Sequence, residues 1–227
     1  MSEGFRLRVR YEIRGRLAYL SHLETIRSME RVVRRAGLPF AVTEGFSPHM
    51  KVAFGPALPV GAGSAGEYLD IRLQSYIDPE HALKRLQLAA PRNLMPLECF
   101  YVDVRADAID VTYPLSVWKA EFCASGDMQA TLEELRRAFG KLLEKGYIEV
   151  IKKKGRTQKV KQVAFEGRLI EGPEFAAKDA GIVMRFSTFQ GNEGALRPDK
   201  FIDAALALME TPARLARLTR QELRENG

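Results

Sequence analysis

Residues 5–13 read FRLRVRYEI, a strict alternation of apolar and charged side chains. Successive side chains of a β-strand point to opposite faces, so a period of two predicts a strand. One face would carry the apolar set from Phe5 to Ile13, and the other would carry Arg6, Arg8 and Arg10. We therefore expect a half-buried strand at the beginning of the fold.

A helix and two further strands are predicted to follow this strand. Ser21 and Glu24 have the spacing of a capping box, which predicts a helix from His22 to about Ala36, and Gly37 is placed to end it. The remaining elements of the first half are predicted as strands at 51–54 and 67–73, a helix from Asp78 to Leu88, and a strand at 94–102. The order β-α-β-β-α-β is typical of ferredoxin-like domains.

The second half is predicted to repeat this order. Its predicted elements are strands at 115–123, 147–151, 160–170 and 182–189, helices at 127–145 and 198–209, and a tail at 214–223 that suits either a strand or a helix. We therefore predict an α+β protein of two tandem ferredoxin-like halves, with domains at residues 1–107 and 108–227.

The composition excludes several classes of protein. The only two cysteines, Cys99 and Cys123, are too few for a disulfide framework, a zinc site or an iron–sulfur cluster, so we expect no metal and no cofactor. No apolar run approaches the roughly 20 residues that cross a bilayer, and the first residues have no apolar signal region. We expect a cytoplasmic protein with no membrane partner, and the net charge of +6 favours anionic partners.

Three stretches of the first half resemble a known family: GRLAYLSHLE at 15–24, EGFSPHMK at 44–51, and PALPVG at 56–61 running on to GEYLD at 66–70. They are similar to the domain of unknown function of radical-SAM-linked proteins, which occurs alone or fused to a cobalamin-type radical SAM protein. Met50 and Ala53 depart from its usual pattern. The resemblance implies a radical SAM protein as partner and a place in RNA metabolism, and it brings no established reaction.

The strongest candidate binding surface is the basic stretch KKKGRTQKVK at 152–161, which holds six cations and no acid. Such a density of charge suits contact with a phosphate backbone. The alternative is a solvated hairpin tip. The candidate RNA- or phosphate-binding residues of this stretch are Lys152, Lys153, Lys154, Arg156, Thr157, Lys159 and Lys161.

A second candidate is the row of arginines on the first strand, Arg6, Arg8 and Arg10, continued by Arg14 and Arg16. RNA-binding sheets stack bases on aromatic side chains, and the alternation sends Phe5 and Tyr11 to the other face, which argues against base stacking here. The arginines would then bind phosphates or form a solvated or salt-bridged face.

A third candidate is the loop from Glu44 to Gly66, which is rich in glycine and includes Lys51 as a further phosphate-binding candidate. The alternative is a tight structural loop. His22 and His49 are candidate catalytic residues, with Tyr19 or Lys51 assisting, because a neutral imidazole can act as a general base. The alternative for His22 is a surface histidine at a helix start.

These features predict a non-catalytic RNA-binding accessory protein that works with a radical SAM enzyme in RNA modification or processing. The chain is not expected to be a radical SAM enzyme itself, because it lacks the cysteines. One alternative is a metal-independent endoribonuclease similar to the CRISPR repeat-processing enzymes. Another is a protein adaptor that docks through an apolar sheet face.

Overall fold

The structure is a computed structural model that describes residues 4–124, 126–154, 157–178, 181–191, 194–211 and 213–226. The chain divides into two compact units: unit 1 is Met1–Pro114 with Glu222–Gly227, and unit 2 is Leu115–Gln221. Both units combine antiparallel strands with helices, so the predicted α+β class is confirmed. No helix in the described part of the chain is both long and apolar enough to span a membrane.

Unit 1 contains four strands in the order β4-β1-β3-β2, all antiparallel. Its elements are β1 (Phe5–Ile13), α1 (His22–Arg35), β2 (Val52–Phe54), β3 (Ala62–Leu73), α2 (Pro79–Ala89), β4 (Leu94–Val102) and α3 (Ile109–Thr112), with a 3-10 helix at Gly15–Tyr19. The predicted order β-α-β-β-α-β is present, and the arrangement agrees with a ferredoxin-like half.

One apolar core holds unit 1 together. Leu7 and Val9 of β1 and Ile71 of β3 are fully buried, as is Met29 of α1. The predicted capping box begins α1, because Ser21 N–H donates to the Glu24 carboxylate at 2.8 Å and Glu24 N–H donates to Ser21 Oγ at 3.4 Å. The helical spacing of Leu23 with Met29 and Val33 predicts that Leu23 belongs to the apolar stripe of α1, but its side chain is exposed.

The prediction that β1 is half buried is wrong. Arg6 and Arg8 are as buried as the apolar residues that alternate with them. Burial of a charge is costly unless it is paired, and here Asp70 of β3 pairs with both arginines. Both faces of β1 are therefore covered, one by apolar contacts and the other by an ion-pair network.

Unit 2 contains β5 paired with both β9 and β11, while β8 and β10 pair with β9. Its elements are β5 (Leu115–Cys123), α4 (Met128–Lys145), β6 (Tyr147–Lys154), β7 (Thr157–Ala164), β8 (Leu169–Lys178), β9 (Gly181–Gly191), β10 (Gly194–Ala195), α5 (Pro198–Leu206) and β11 (Arg214–Arg224), whose last three residues belong to unit 1. The tail is thus a strand. An additional hairpin, β6–β7, lies between α4 and β8 in the order of the chain.

Three predicted elements of unit 2 have different bounds. The strand expected at 147–151 continues to Lys154 as β6. The single strand expected at 160–170 is two strands, β7 and β8, because the chain turns between them at Gly167, whose φ of 66° lies in the left-handed region. Helix α5 ends at Leu206 rather than at Met209. The core of unit 2 is aromatic: the Phe201 ring lies 5.2 Å from that of Phe139 and 5.5 Å from that of Phe186.

Candidate nucleic-acid interface

Strands β6 and β7 form a two-stranded antiparallel sheet of their own, which we call the basic ribbon (residues 147–164). Its register pairs Lys152 with Lys159 and Val150 with Lys161. Opposite residues of an antiparallel pair share a face, and faces alternate along each strand. The positions that share one face with these pairs are therefore those of Lys152, Lys154, Lys159 and Lys161.

The ribbon is open to solvent along most of its length. Lys159 and Lys161 are exposed, and so are Ile151 and Val160, which are paired across the two strands at 60% and 64% exposure. Ile148, near the first residue of the ribbon, is 1% exposed and anchors it to unit 2. A two-stranded sheet of this kind has little core of its own, so it depends on that anchor.

The ribbon also holds the charge imbalance of the chain. Six of the 35 lysines and arginines lie at 150–161, where there is no acid. The other 29 equal in number the 29 aspartates and glutamates of the chain. Gly155 and Arg156 lie outside the described residues, and so do the side chains of Lys152, Lys153, Lys154 and Thr157. The backbone register and the described lysines of β7 therefore define this surface.

The arginine row of β1 is held inside unit 1. Arg8 Nε donates to Asp70 Oδ1 at 2.7 Å, and Arg6 Nε donates to Asp70 Oδ2 at 2.8 Å. Arg6 also donates to the carbonyls of Ala106 and Asp107. Burial lowers the pKa of Arg8, and the hydrogen bond and charge of Asp70 outweigh it, so the pKa is raised overall. These two cations tie the 103–113 segment to the sheet and are not presented to solvent.

The other three arginines of the predicted row differ from Arg6 and Arg8. Arg10 is half-buried, and its guanidinium packs over the backbone of Gly66, where an added Cβ would lie 2.7 Å from its Nε. Arg14 is exposed and pairs with Glu12 at 2.6 Å, and Arg16 is exposed in the 3-10 helix. Of the predicted row, Arg14 and Arg16 thus have exposed side chains.

The catalytic candidates are divided between two parts of unit 1. His22 lines a small cavity of about 20 Å³ together with Tyr11 and Glu67, and its ring meets that of Phe54 edge-on at 6.3 Å. His49 belongs to a loop closed by Thr43, whose Oγ1 accepts from His49 N–H at 3.0 Å. Tyr19 is largely exposed. The structure thus brings His22 together with Glu67, a carboxylate that sequence reasoning did not select.

Asp70 and Arg72 were also missed, although a signal for them existed. Both lie on β3, whose alternation was recognised, and the antiparallel register sets Asp70 opposite Arg8 and Arg72 opposite Arg6. The acidic side chain on the polar face of β3 and the arginines on the polar face of β1 have complementary charges. That complementarity indicates a buried ion pair once the strands are known to be neighbours.

The two cysteines differ in burial, because Cys99 is buried and Cys123 is only partly so. Burial raises the pKa of the Cys99 thiol to about 12, which leaves it a poor nucleophile. Cys99 and Cys123 are both free. Within the described ranges, no group of three or more His, Cys, Asp or Glu side chains is arranged to hold a metal ion.

Fold and surface together define an α+β protein with a projecting basic ribbon. Residues 6–198 match the family described as an uncharacterized protein conserved in bacteria (DUF2344), and the chain belongs to that family. No curated protein matches it. A solved structure titled as a Cbf5-Nop10-Gar1 complex is similar at a TM-score of 0.49 and 10% identity, covering 97% of this chain and 49% of that one. This chain spans about half the length of that chain.

Proposed function

We propose that this protein binds structured RNA through the basic ribbon and presents it to a separate radical SAM enzyme, without catalysing a reaction itself. The observation that carries the RNA-binding part is the register of β6 and β7, which groups the positions of Lys152, Lys154, Lys159 and Lys161 on one face. Each phosphate neutralised by a lysine releases counterions, and that release drives binding.

The chemistry of the ribbon favours contact with phosphates over stacking on bases. Proteins that bind single strands place bases on aromatic side chains, whereas double-stranded RNA is recognised by its shape and by its phosphates and 2′-hydroxyls. No aromatic residue occurs between Ile148 and Ala164. The part of the ribbon that carries the lysines has no aromatic residue on which a base could stack, and it suits the paired regions of a folded RNA.

The support for a radical SAM partner is the resemblance of residues 15–24, 44–51 and 56–70 to radical-SAM-linked proteins. Radical SAM chemistry needs an iron–sulfur cluster held by cysteines. With Cys99 buried and only Cys123 besides, this chain does not offer such a ligand set. In the proposal, the partner supplies the radical chemistry and this chain supplies the bound RNA.

Fluorescence anisotropy with a labelled RNA hairpin tests the RNA-binding step. The double variant Lys159→Gln/Lys161→Gln is compared with Lys84→Gln/Lys141→Gln, which removes the same charge from exposed positions of α2 and α4. We expect weaker binding for the ribbon variant only. The slope of log K against log salt should decrease in magnitude by about 1 for each lysine that contacts a phosphate.

Equal affinities and salt slopes for the two double variants would contradict the proposed surface. Incubating the same RNA with the protein in EDTA separates binding from cleavage, and we expect intact RNA. Cleavage that is lost in His22→Ala would instead favour the endoribonuclease alternative.

The partner is tested by affinity purification from native lysate with nuclease added, followed by mass spectrometry. Recovery of a radical SAM protein is expected. If no radical SAM protein is recovered, the proposed radical SAM partner is contradicted. RNA binding by the ribbon is tested separately by the anisotropy assay.

A further inference from the structure

An open groove of about 610 Å³ lies in unit 1, where the loop before β2 meets the last residues of β3. Its charged lining residues are Lys51 and Arg72, and Ala41, Gln74 and Val104 also line it. We call it the Lys51–Arg72 groove. Its volume lies in the range of small-molecule sites, which is about 300–1,000 Å³.

The two cations lie opposite each other on neighbouring chain segments. Arg72 N–H donates to the carbonyl of Lys51 at 2.9 Å, which continues the register that pairs Val52 with Ile71. Like charges directly opposite each other in a sheet destabilise it. A pair of this kind is stabilised when an anion lies between the two side chains.

The described carboxylate nearest this pair along β3, that of Asp70, is already used by other cations. In the described ranges, the ion pairs on this face of the sheet use Asp70 with Arg6 and Arg8, and none involves Lys51 or Arg72. Because Asp70 is shared by two arginines already, it leaves the charges of Lys51 and Arg72 uncompensated. The excess positive charge of this face is therefore concentrated in the groove.

The backbone holds both cations in place. Lys51 N–H donates to the Ala41 carbonyl at 2.8 Å, and Ala41 N–H donates to the Arg72 carbonyl at 2.8 Å. The Arg72 guanidinium uses Nη2 to bond the Val104 carbonyl at 2.7 Å, and it has further donors for a ligand. A planar fork beside a lysine point charge is a combination that suits phosphate oxygens.

We infer that the Lys51–Arg72 groove binds a phosphate monoester, either that of a free nucleotide or that at the end of an RNA chain. Arg72 would donate from its fork to two phosphate oxygens and Lys51 would add the second positive charge. The groove is more spacious than a phosphate ion needs, so the ester group also has room in it. This site lies in unit 1, goes beyond the proposed role of the basic ribbon, and does not depend on it.

Isothermal titration calorimetry in a phosphate-free buffer tests the inference with five ligands. They are inorganic phosphate, adenosine 5′-monophosphate, adenosine, and one short oligoribonucleotide with either a 5′-phosphate or a 5′-hydroxyl. Binding of the monophosphate without binding of adenosine identifies a free nucleotide. Preference for the 5′-phosphorylated oligonucleotide over the monophosphate identifies an RNA end.

The variants locate the binding in the groove. Lys51→Gln should weaken phosphate-ester binding about tenfold or more, the effect of losing one charge-assisted hydrogen bond. Lys84→Gln, an exposed lysine of α2, should leave it unchanged. Arg72→Gln should abolish binding. Because the Arg72 side chain also bonds the Val104 carbonyl, the thermal unfolding of this variant is measured as well. If the Arg72→Gln variant is unstable, the result for Lys51→Gln decides the test.

Two outcomes would overturn the inference: no binding of any phosphate ester, or equal affinities for Lys51→Gln and Lys84→Gln. The ribbon variant Lys159→Gln/Lys161→Gln keeps the groove intact and should bind adenosine 5′-monophosphate normally. Failure of the groove and failure of the ribbon are thereby distinguished.

Discussion

At the scale of single residues, Asp70 decides what the arginines of β1 do. Its carboxylate accepts hydrogen bonds from Arg6 and Arg8 on the neighbouring strand. The alternating pattern predicted these two arginines on the surface, but they form a buried network with Asp70. The remaining donors of Arg6 bind carbonyls of the 103–113 segment. The arginines therefore stabilise unit 1 instead of forming a nucleic-acid surface.

Replacing Asp70 with asparagine should destabilise the protein strongly. The substitution leaves Arg6 and Arg8 buried without a carboxylate, and breaking a buried pair in this way costs about 3–5 kcal/mol. Urea unfolding followed by circular dichroism measures the loss. Asp110→Asn, which removes the same charge from an exposed position, is the control and should change the free energy of unfolding little. Equal effects for the two variants would show that the network contributes no stability.

At the scale of elements, the termini of the helices follow from local sequence. Asp127 accepts from Ala130 N–H at 2.7 Å as the N-cap of α4, and Gly146 ends that helix with a φ of 76°. Asp78 caps α2 in the same way. These groups act within one turn of chain, so their effect is independent of tertiary neighbours.

The cap of α4 gives a test at this scale. Asp127→Ala should lower the free energy of unfolding by about 1 kcal/mol, because Ala130 N–H loses its acceptor. Asp127→Asn keeps a side-chain oxygen there and should restore most of the stability. Thermal or urea denaturation measures both. The expectation fails if asparagine and alanine are equally destabilising.

At the scale of the whole molecule, charge is distributed unevenly along the chain. The formal net charge of +6 equals the six cations of residues 150–161, and the remainder of the chain is balanced. Those residues form most of the basic ribbon, which pairs with no other strand in the described part of unit 2. Electrostatic attraction of an anionic partner is therefore expected to depend on this one projection.

Shortening the ribbon tests this view. Replacing residues 150–161 with Asn-Gly would join Glu149 to Gln162 through a two-residue hairpin turn and keep the pairing of Ile148 with Val163. We expect a melting temperature within a few degrees of the original, because the removed residues contribute little core, and loss of RNA binding in the anisotropy assay. A large drop in melting temperature would show that the ribbon supports the fold of unit 2.

How far the sequence predicted each feature depends on the range of the interaction. The bounds of β4 and β5 and the capping box of α1 were predicted correctly, because alternation and capping act between residues close in sequence. The burial of Arg6 and the exposure of Leu23 were not predicted, because each depends on which residues distant in sequence pack against that side chain. The functional roles of Lys159, Lys161 and Lys51 remain predictions.

The sequence by itself determined the class of the fold, the order of its elements and the concentration of cations at 150–161. Only the tertiary structure decided that Asp70 meets Arg6 and Arg8, and that Lys51 and Arg72 line the same groove. The physical reason is that patterns along a chain are set by local geometry, whereas pairing of charges depends on which strands become neighbours. Residues 62 or more positions apart in sequence create the buried network of unit 1.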